Sequence, residues 1–248
     1  MIRELKKQAG ALVRKNYRAF WLPVLLYVVA DGTATFLWQT FSDLSSSDTV
    51  QYVFLGVSLL LRLVALPLLL YWIIFISMRL MKAKVSTSAF SWKDAVRLVV
   101  ITFAPNVTEC LLSAANAVPR DTAGLVGGVL SFLMIISFVT EYVFFACNYH
   151  YALHKGTVKE TVTFSYLGMR GKFISFLLLT LSFILWEILA AALSLVVLFG
   201  LPSMPTVGKS FLTAAGCGVS FYLLPYRYVT YTLFVKNNVK VDKKRKHD

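Results

Sequence analysis

The chain has few charged side chains for its length, and acids are the scarcer sign. Lys, Arg, Asp and Glu make up 15% of its 248 residues, where a water-soluble domain carries about 25%. The 12 acids stand against 25 bases, and 58% of the residues are hydrophobic, with a mean hydropathy of +0.69. This composition excludes a water-soluble globule with one core and leaves no room for a second domain, so residues 1–248 are treated as one domain.

Cysteines and catalytic motifs are also scarce. Cys110, Cys147 and Cys217 lie far apart in apolar stretches, which predicts core packing and neither a metal site nor a disulfide framework. The sequence contains no phosphate-binding loop, no GxSxG elbow and no dinucleotide fingerprint. His150 and His154 have the i, i+4 spacing of metal ligands, but HYALH lacks the acid of HExxH, so they are weak metal candidates. We therefore predict no enzyme activity and no cofactor.

Long apolar runs account for most of the chain. A bilayer-crossing helix needs about 20 predominantly apolar residues. Six stretches meet this requirement, and we predict an all-α membrane protein with spans at about 19–41, 51–80, 96–118, 124–152, 173–200 and 210–235. No small-residue cleavage site follows the first run, so we expect it to be retained as a membrane helix.

The basic residues fall on one side of this six-span arrangement. Of the 25 Lys and Arg residues, 21 lie in the two termini and in the connectors around 81–95 and 153–172, and only Arg120 and Lys209 lie on the other side. The positive-inside rule then places both termini in the cytoplasm, next to anionic inner-leaflet lipids. The basic tail 236–248 is too short for a nucleic-acid groove, so no nucleic-acid partner is predicted.

Three cytoplasmic segments have the pattern of helices that lie along a membrane surface. Residues 2–18 form the strongest case, because their apolar residues fall within one arc and six cations occupy the rest of the wheel. Segment 158–173 repeats the pattern, and segment 86–97 is weaker. The two apolar stripes are Ile2, Leu5, Ala9, Leu12, Val13 and Phe20, and Val158, Val162, Tyr166, Met169 and Phe173.

Six ionisable residues sit inside the predicted spans and form a candidate charge network. Each costs roughly 2.5–3.5 kcal/mol at a helix centre, so we expect them to face the bundle interior and to pair. Depth along the helices pairs Arg227 with Glu141, and Arg62 with at least one of the three acids nearer mid-span. Two acids are left over, and they indicate either protonated register-setting groups or a hydrated pathway. The six are Asp31, Arg62, Glu109, Glu141, Glu187 and Arg227.

Two further patterns bear on this network. Asp31, Glu109 and Glu187 are spaced 78 residues apart, which suggests three helical hairpins, each preceded by a basic segment. Pro67 and Pro105 lie inside predicted spans, as does Pro225, and each frees a backbone carbonyl one turn earlier. Helices broken beside buried charges are typical of transporter sites, although kinked structural helices have the same sequence pattern.

The two ends of the chain resemble a known family. The motifs are MRGK at 169–172, SFILW at 182–186 and PY at 225–226, followed by Thr230 and Phe234. Together with the basic N-terminus RELKKQAGALVRKNYRAFW, they are similar to bacterial integral membrane proteins catalogued as domain of unknown function 975. The resemblance implies a multi-pass protein of the bacterial cytoplasmic membrane, and it implies no activity and no site residue.

Two functions fit these observations. The first is a non-enzymatic envelope accessory or scaffold protein that binds lipid or a membrane-protein partner, favoured by the surface segments and the absence of catalytic motifs. The alternative is a small transporter or channel-like protein with a polar path through its buried acids and arginines. A water-accessible cavity reaching Glu109 and Glu187 favours transport, and a dry, fully paired bundle favours the scaffold.

Overall fold

The structure, a computed structural model, describes residues 1–43, 48–83, 90–116, 123–186, 188–189 and 206–239. Every element within these ranges is helical, which confirms the predicted all-α class. The helices are α1 (Ile2–Asp43), α2 (Asp48–Leu60), a π-helical turn (Leu61–Ala65), α3 (Leu66–Leu80), α4 (Trp92–Asn116), α5 (Ala123–Phe144), α6 (Cys147–His154), α7 (Val158–Met169), α8 (Phe173–Leu181) and α9 (Thr206–Asn238).

Several of these helices are long and apolar enough to cross a bilayer. Three are found among the described residues, and a fourth is formed if two helices joined at an 89° bend count as one span. Large apolar side chains cover the outside of the bundle; Ile174 is 71% exposed and Leu185 75% exposed. An apolar outer surface of this kind is typical of a protein whose solvent is lipid. The candidate spans are Ile2–Leu37, Tyr52–Leu80, Phe132–His154, and the bent pair Val158–Met169 with Phe173–Trp186.

The helices follow the predicted spans with several differences. The second predicted span contains the π-helical turn between α2 and α3, and the fourth is interrupted at residues 145–146 between α5 and α6. The fifth is interrupted at residues 182–183, after α8. The third and sixth overlap α4 and α9, which are not among the candidate spans found in the described residues. Parts of the predicted outer connectors, residues 190–205 and the tail beyond 239 lie outside the described residues.

The apolar stripe of residues 2–20 packs against other helices of the protein. The prediction that this stripe faces membrane lipid is therefore wrong. Leu5, Ala9, Val13 and Phe20 are buried, and α1 packs against α9, α2 and α3. Tyr17 donates a hydrogen bond to the carbonyl of Phe221 in α9 at 3.2 Å. A stripe with i, i+4 spacing can bury itself equally well against a helix or a lipid surface. The stripe packs against a helix here because the fold brings α9 next to it.

A kink separates this N-terminal part of α1 from the rest of the helix. Asn16 has non-helical dihedral angles (φ −125°, ψ 22°), and its side-chain Nδ2 donates to the carbonyl of Leu12 at 3.0 Å. Asparagine competes for backbone groups in this way, which is why it favours helix interruptions. The kink falls close to the predicted boundary between the surface segment 2–18 and the first span.

Helix α7 buries a face that is centred on its small residues and only partly overlaps its apolar stripe. It begins with a capping box, in which Thr157 and Glu160 exchange side-chain and backbone hydrogen bonds. Its buried residues are Thr161, Ser165, Gly168 and Met169, whereas Tyr166 is more than half exposed. Small side chains allow α7 to approach α5 and α6 closely, and this close packing decides the inward face. The segment remains helical as predicted. Of its stripe, Met169 is buried and Val158 and Val162 pack partly buried against the core, whereas Tyr166 and Phe173 are exposed.

Ser165 of α7 joins the two halves of the interrupted helix. Its Oγ accepts a hydrogen bond from the Ala146 amide at 3.0 Å and donates one to the Val143 carbonyl at 2.6 Å. These are backbone groups beside the interruption at residues 145–146. The serine therefore stabilises a break that would otherwise leave polar backbone groups buried without partners.

Candidate polar binding cavity

A polar cavity of about 130 Å³ lies where α3, α4, α5, α6 and α9 meet. Aromatic residues form much of its wall, including Tyr149 and Tyr231. A cavity needs roughly 10–15 Å³ to hold one water molecule, so this one has room for several waters or one small ligand. The polar and charged lining residues outside the tyrosines are Thr102, Asn106, Ser137, Glu141 and Asn148.

The helices around this cavity are irregular. Pro67 follows the π-helical turn, in which the Leu66 amide bonds to the Leu61 carbonyl, five residues back. Pro105 lies inside α4, and the break at residues 145–146 also adjoins the cavity through Phe145. A proline removes one amide donor and frees the carbonyl four residues earlier, and π-helical turns occur frequently at functional sites. The wall is therefore built partly from irregular helix.

Two amide side chains in the wall have buried polar atoms without a partner. Nδ2 of Asn106 and Oδ1 of Asn148 make no hydrogen bond within the described part of the chain. Leaving such an atom unsatisfied costs about 1–3 kcal/mol. These amides therefore lower the stability of the protein.

Among the described residues that line the cavity, Glu141 alone is charged. Arg227 lies next to Glu141 but outside the cavity lining. Their closest atoms, Oε1 and Nη2, are 3.9 Å apart, and their side chains are 42% and 26% exposed. Arg227 also donates from Nε to the Tyr231 hydroxyl at 2.9 Å, and its guanidinium lies 5.3 Å from that ring's centre. The two residues do lie together, as their depth along the predicted spans indicates.

The other predicted charges are placed differently. Arg62, in the π-helical turn, interacts electrostatically with Asp31 but donates its hydrogen bond to the Thr35 hydroxyl, at 3.2 Å. No direct ion pair joins Arg62 to a carboxylate among the described residues, and its predicted pairing with one of the three acids stays a prediction. The side chain of Glu109, and Glu187 as a whole, lie outside the described residues. Among the described members of the predicted network, Glu141 lies with Arg227 and Asp31 with Arg62.

The two histidines pack against aromatic rings. His150 stacks on Phe164 with ring centres 4.2 Å apart, and His154 lies 5.0 Å from His150. No group of three or more His, Cys, Asp or Glu side chains suited to a metal occurs in the described ranges. Packing accounts for the position of the His150 ring.

Sequence reasoning missed a polar cluster around Asp94, at the start of α4. The Asp94 carboxylate accepts hydrogen bonds from the Tyr151 hydroxyl (2.7 Å) and from the amide and hydroxyl of Ser91 (both 2.8 Å), and it pairs with Lys155 (3.2 Å). Burial raises the pKa of this carboxyl, but these donors outweigh burial and hold its pKa below the usual range. The spacing S-x-x-D at 91–94 is a helix-capping signal, so the contact between Ser91 and Asp94 could have been predicted from the sequence.

Comparisons with family models, with curated proteins and with solved structures find no match for this chain. The fold and the cavity define its class on their own. It is a helical protein with helices fit to cross a membrane and a polar cavity at the meeting point of five of them.

Proposed function

We propose that the protein is a small transporter or channel-like protein that passes a small polar solute through the cavity at Glu141. The observation that carries this proposal is a polar cavity among five apolar helices, whose lining includes the carboxylate residue Glu141. A protein that needed only a stable bundle would place apolar side chains there, since unsatisfied polar atoms are costly.

The irregular backbone around the cavity supports the same function. Transport requires parts of the helical bundle to move relative to one another around the binding site, and the sites themselves are typically formed by broken helices. The π-helical turn before Pro67 and the break at residues 145–146 both adjoin the cavity. Movement at either point would change access to Glu141 without disturbing the rest of the core.

The finer topology is also a proposal. Six spans, with both termini in the cytoplasm, follow from the apolar stretches and from the 21-to-2 distribution of basic residues outside them. The resemblance to the uncharacterised bacterial family supports a location in the bacterial cytoplasmic membrane.

Cysteine labelling tests this orientation. In a background without native cysteines, substitutions at Ser46, Asp121 and Ser203 are expected to react with a membrane-impermeant maleimide added to whole cells. Substitutions at Lys84 and Gly156 are expected to react only after the membrane is permeabilised. Reaction of the Lys84 position in intact cells would contradict the proposed topology.

A flux assay tests the function itself. Purified protein in liposomes is challenged with gradients of short amines, amino acids and carboxylates, and solute uptake and internal pH are recorded. We expect uptake of at least one class, and we expect Glu141→Gln to reduce it at least tenfold because the substitution removes the cavity's charge.

Glu160→Gln is the matched control for this assay. Glu160 is an exposed acid in the capping box of α7, where glutamine also serves, so uptake should be unchanged. Uptake that is absent for all three classes, or that is unaffected by Glu141→Gln, would contradict the transport proposal.

A second candidate function is the binding of an anionic lipid by an accessory or scaffold protein. It is favoured by an apolar groove of about 480 Å³ that has a single cation, Lys155, among its described lining residues. Trp72, Phe75 and Phe90 line the same groove and suit an acyl chain. Anionic lipid that stays bound to a protein inactive in the flux assay would favour this function.

A further inference from the structure

We infer that the exposed face of α1 binds the phosphate group of an anionic membrane lipid through Arg14, Lys15 and Arg18. This surface is separate from the cavity at Glu141, because α1 contributes none of the described residues that line the cavity. It would therefore bind lipid whether or not the cavity passes a solute. The exposure of the three cations, the charges around them and the side chains that follow them in α1 support this assignment.

The three cations point away from the helices that cover the apolar stripe. Val13 and Phe20 form the inner side of this part of α1 and are fully buried, whereas Arg14, Lys15 and Arg18 are exposed. The kink in this part of the helix leaves the cations on both sides of it outward. Because the apolar stripe is packed against protein, it is not available for insertion into lipid. The basic side is the one that a membrane can contact.

The exposed face of α1 becomes apolar immediately after Arg18. Trp21 is 53% exposed, and Leu26 and Val29 are 42% and 57% exposed. Tryptophan is enriched at the membrane–water interface, and Lys and Arg are enriched on its cytoplasmic side. Arg18 lies about one helical turn before Trp21, and Arg14 about two turns before it. Long basic side chains at these positions can extend to the lipid phosphates, which places the cations at the level of the headgroups.

The described residues provide no acid that offsets these cations. Residues 5–30 contain no Asp or Glu, and Arg14, Lys15 and Arg18 form no ion pair within the described part of the chain. Arg14 interacts electrostatically with Tyr226 of α9, whose hydroxyl is uncharged at neutral pH. An anionic partner would balance this patch, and each Lys or Arg near a membrane surface strengthens the attraction to anionic lipid about fivefold.

The chemistry of these side chains favours a lipid that has a phosphate and no cation of its own. An arginine guanidinium binds phosphate oxygens through two parallel N–H donors, and a lysine ammonium has three N–H donors. Phosphatidylglycerol presents its phosphate beside neutral hydroxyl groups. Phosphatidylcholine carries a quaternary ammonium beside its phosphate, which the three cations repel. The patch should therefore prefer phosphatidylglycerol.

Native mass spectrometry of the purified full-length protein in detergent tests this lipid site. The probes are phosphatidylglycerol and phosphatidylcholine with identical acyl chains. We expect the wild type to bind phosphatidylglycerol at least tenfold more tightly, and we expect added salt to weaken this preference because salt screens exposed charges. The combined variant Arg14→Gln, Lys15→Gln and Arg18→Gln should bind both lipids with similar affinity, because it keeps long polar side chains but removes their charges.

A second triple variant removes the same charge from exposed cations outside α1. The substitutions Lys93→Gln, Lys159→Gln and Arg170→Gln should leave the lipid preference unchanged. An equal loss in both triple variants would show that overall charge, and not the face of α1, selects the lipid. Phosphatidylglycerol that binds the α1 variant as tightly as the wild type would have its site elsewhere, such as the groove at Lys155. Either result would overturn the inference, as would displacement of the lipid by inorganic phosphate, which would indicate a site for a soluble anion.

Should the combined α1 variant fail to fold, Arg14→Gln, Lys15→Gln and Arg18→Gln are measured singly. Each is then expected to weaken phosphatidylglycerol binding about fivefold. Unchanged affinities in all three single variants would also overturn the inference. None of these results bears on Glu141-dependent solute uptake, so the lipid site and the transport function can fail independently.

Discussion

Replacement of Asp94 by alanine is expected to lower the free energy of unfolding by about 3 kcal/mol, the lower end of the range for removing one partner of a buried ion pair. The substitution deprives the Tyr151 hydroxyl, Lys155 and the Ser91 amide and hydroxyl of their common acceptor. It also loosens the start of α4 from the end of α6, which together position cavity residues Thr102 and Asn148. The loss is measured by unfolding in mixed detergent micelles.

The pH dependence follows from the direction of the Asp94 pKa. Because its folded-state pKa lies below the value of about 3.9 in an unfolded chain, its contribution is fully present above pH 4 and is lost as the pH falls through the folded-state pKa. The difference between Asp94→Ala and the wild type should therefore stay constant between pH 5 and pH 8. Lys93→Ala, an exposed change beside it, should leave stability unchanged. A stability difference that varies between pH 5 and pH 8 would contradict the assignment.

Substitution of Ser165 by alanine is expected to cost about 2–3 kcal/mol. The hydroxyl is buried and bonds both the Ala146 amide and the Val143 carbonyl, beside the break between α5 and α6. Alanine fits the space but leaves the buried amide without its partner. Because the break adjoins the cavity, solute uptake should fall together with stability.

Two neighbouring substitutions on α7 separate this effect from a general loss of helix stability. Thr163→Ala changes an exposed residue and should be close to neutral. Thr161→Val removes a buried hydroxyl that has no partner among the described residues, so it should not destabilise the protein. The measurement is the shift of the unfolding midpoint. Equal shifts for Ser165→Ala and Thr163→Ala would show that the Ser165 hydroxyl does not stabilise the break between α5 and α6.

Two features could be predicted from the sequence alone. The apolar residues of 2–20 share one helix face, and Glu141 lies beside Arg227. Apolar residues at i, i+4 spacing must share a helix face, and buried charges of opposite sign at one depth must find each other. For Arg62 the argument gives the right neighbourhood, since Arg62 interacts electrostatically with Asp31. It does not give the hydrogen bond to Thr35, which depends on the π-helical turn, and a local change in helical phase cannot be predicted from residue spacing.

The sequence by itself determined that this chain is helical and suited to a membrane, because composition and run length act residue by residue and need no partner. Only the tertiary structure decided that the N-terminal stripe meets α9, that α7 turns its small residues inward, and that Asn106 and Asn148 share a cavity with Glu141. Each of these depends on which helices become neighbours. Contacts between residues far apart in the chain set that choice, and no local pattern encodes them.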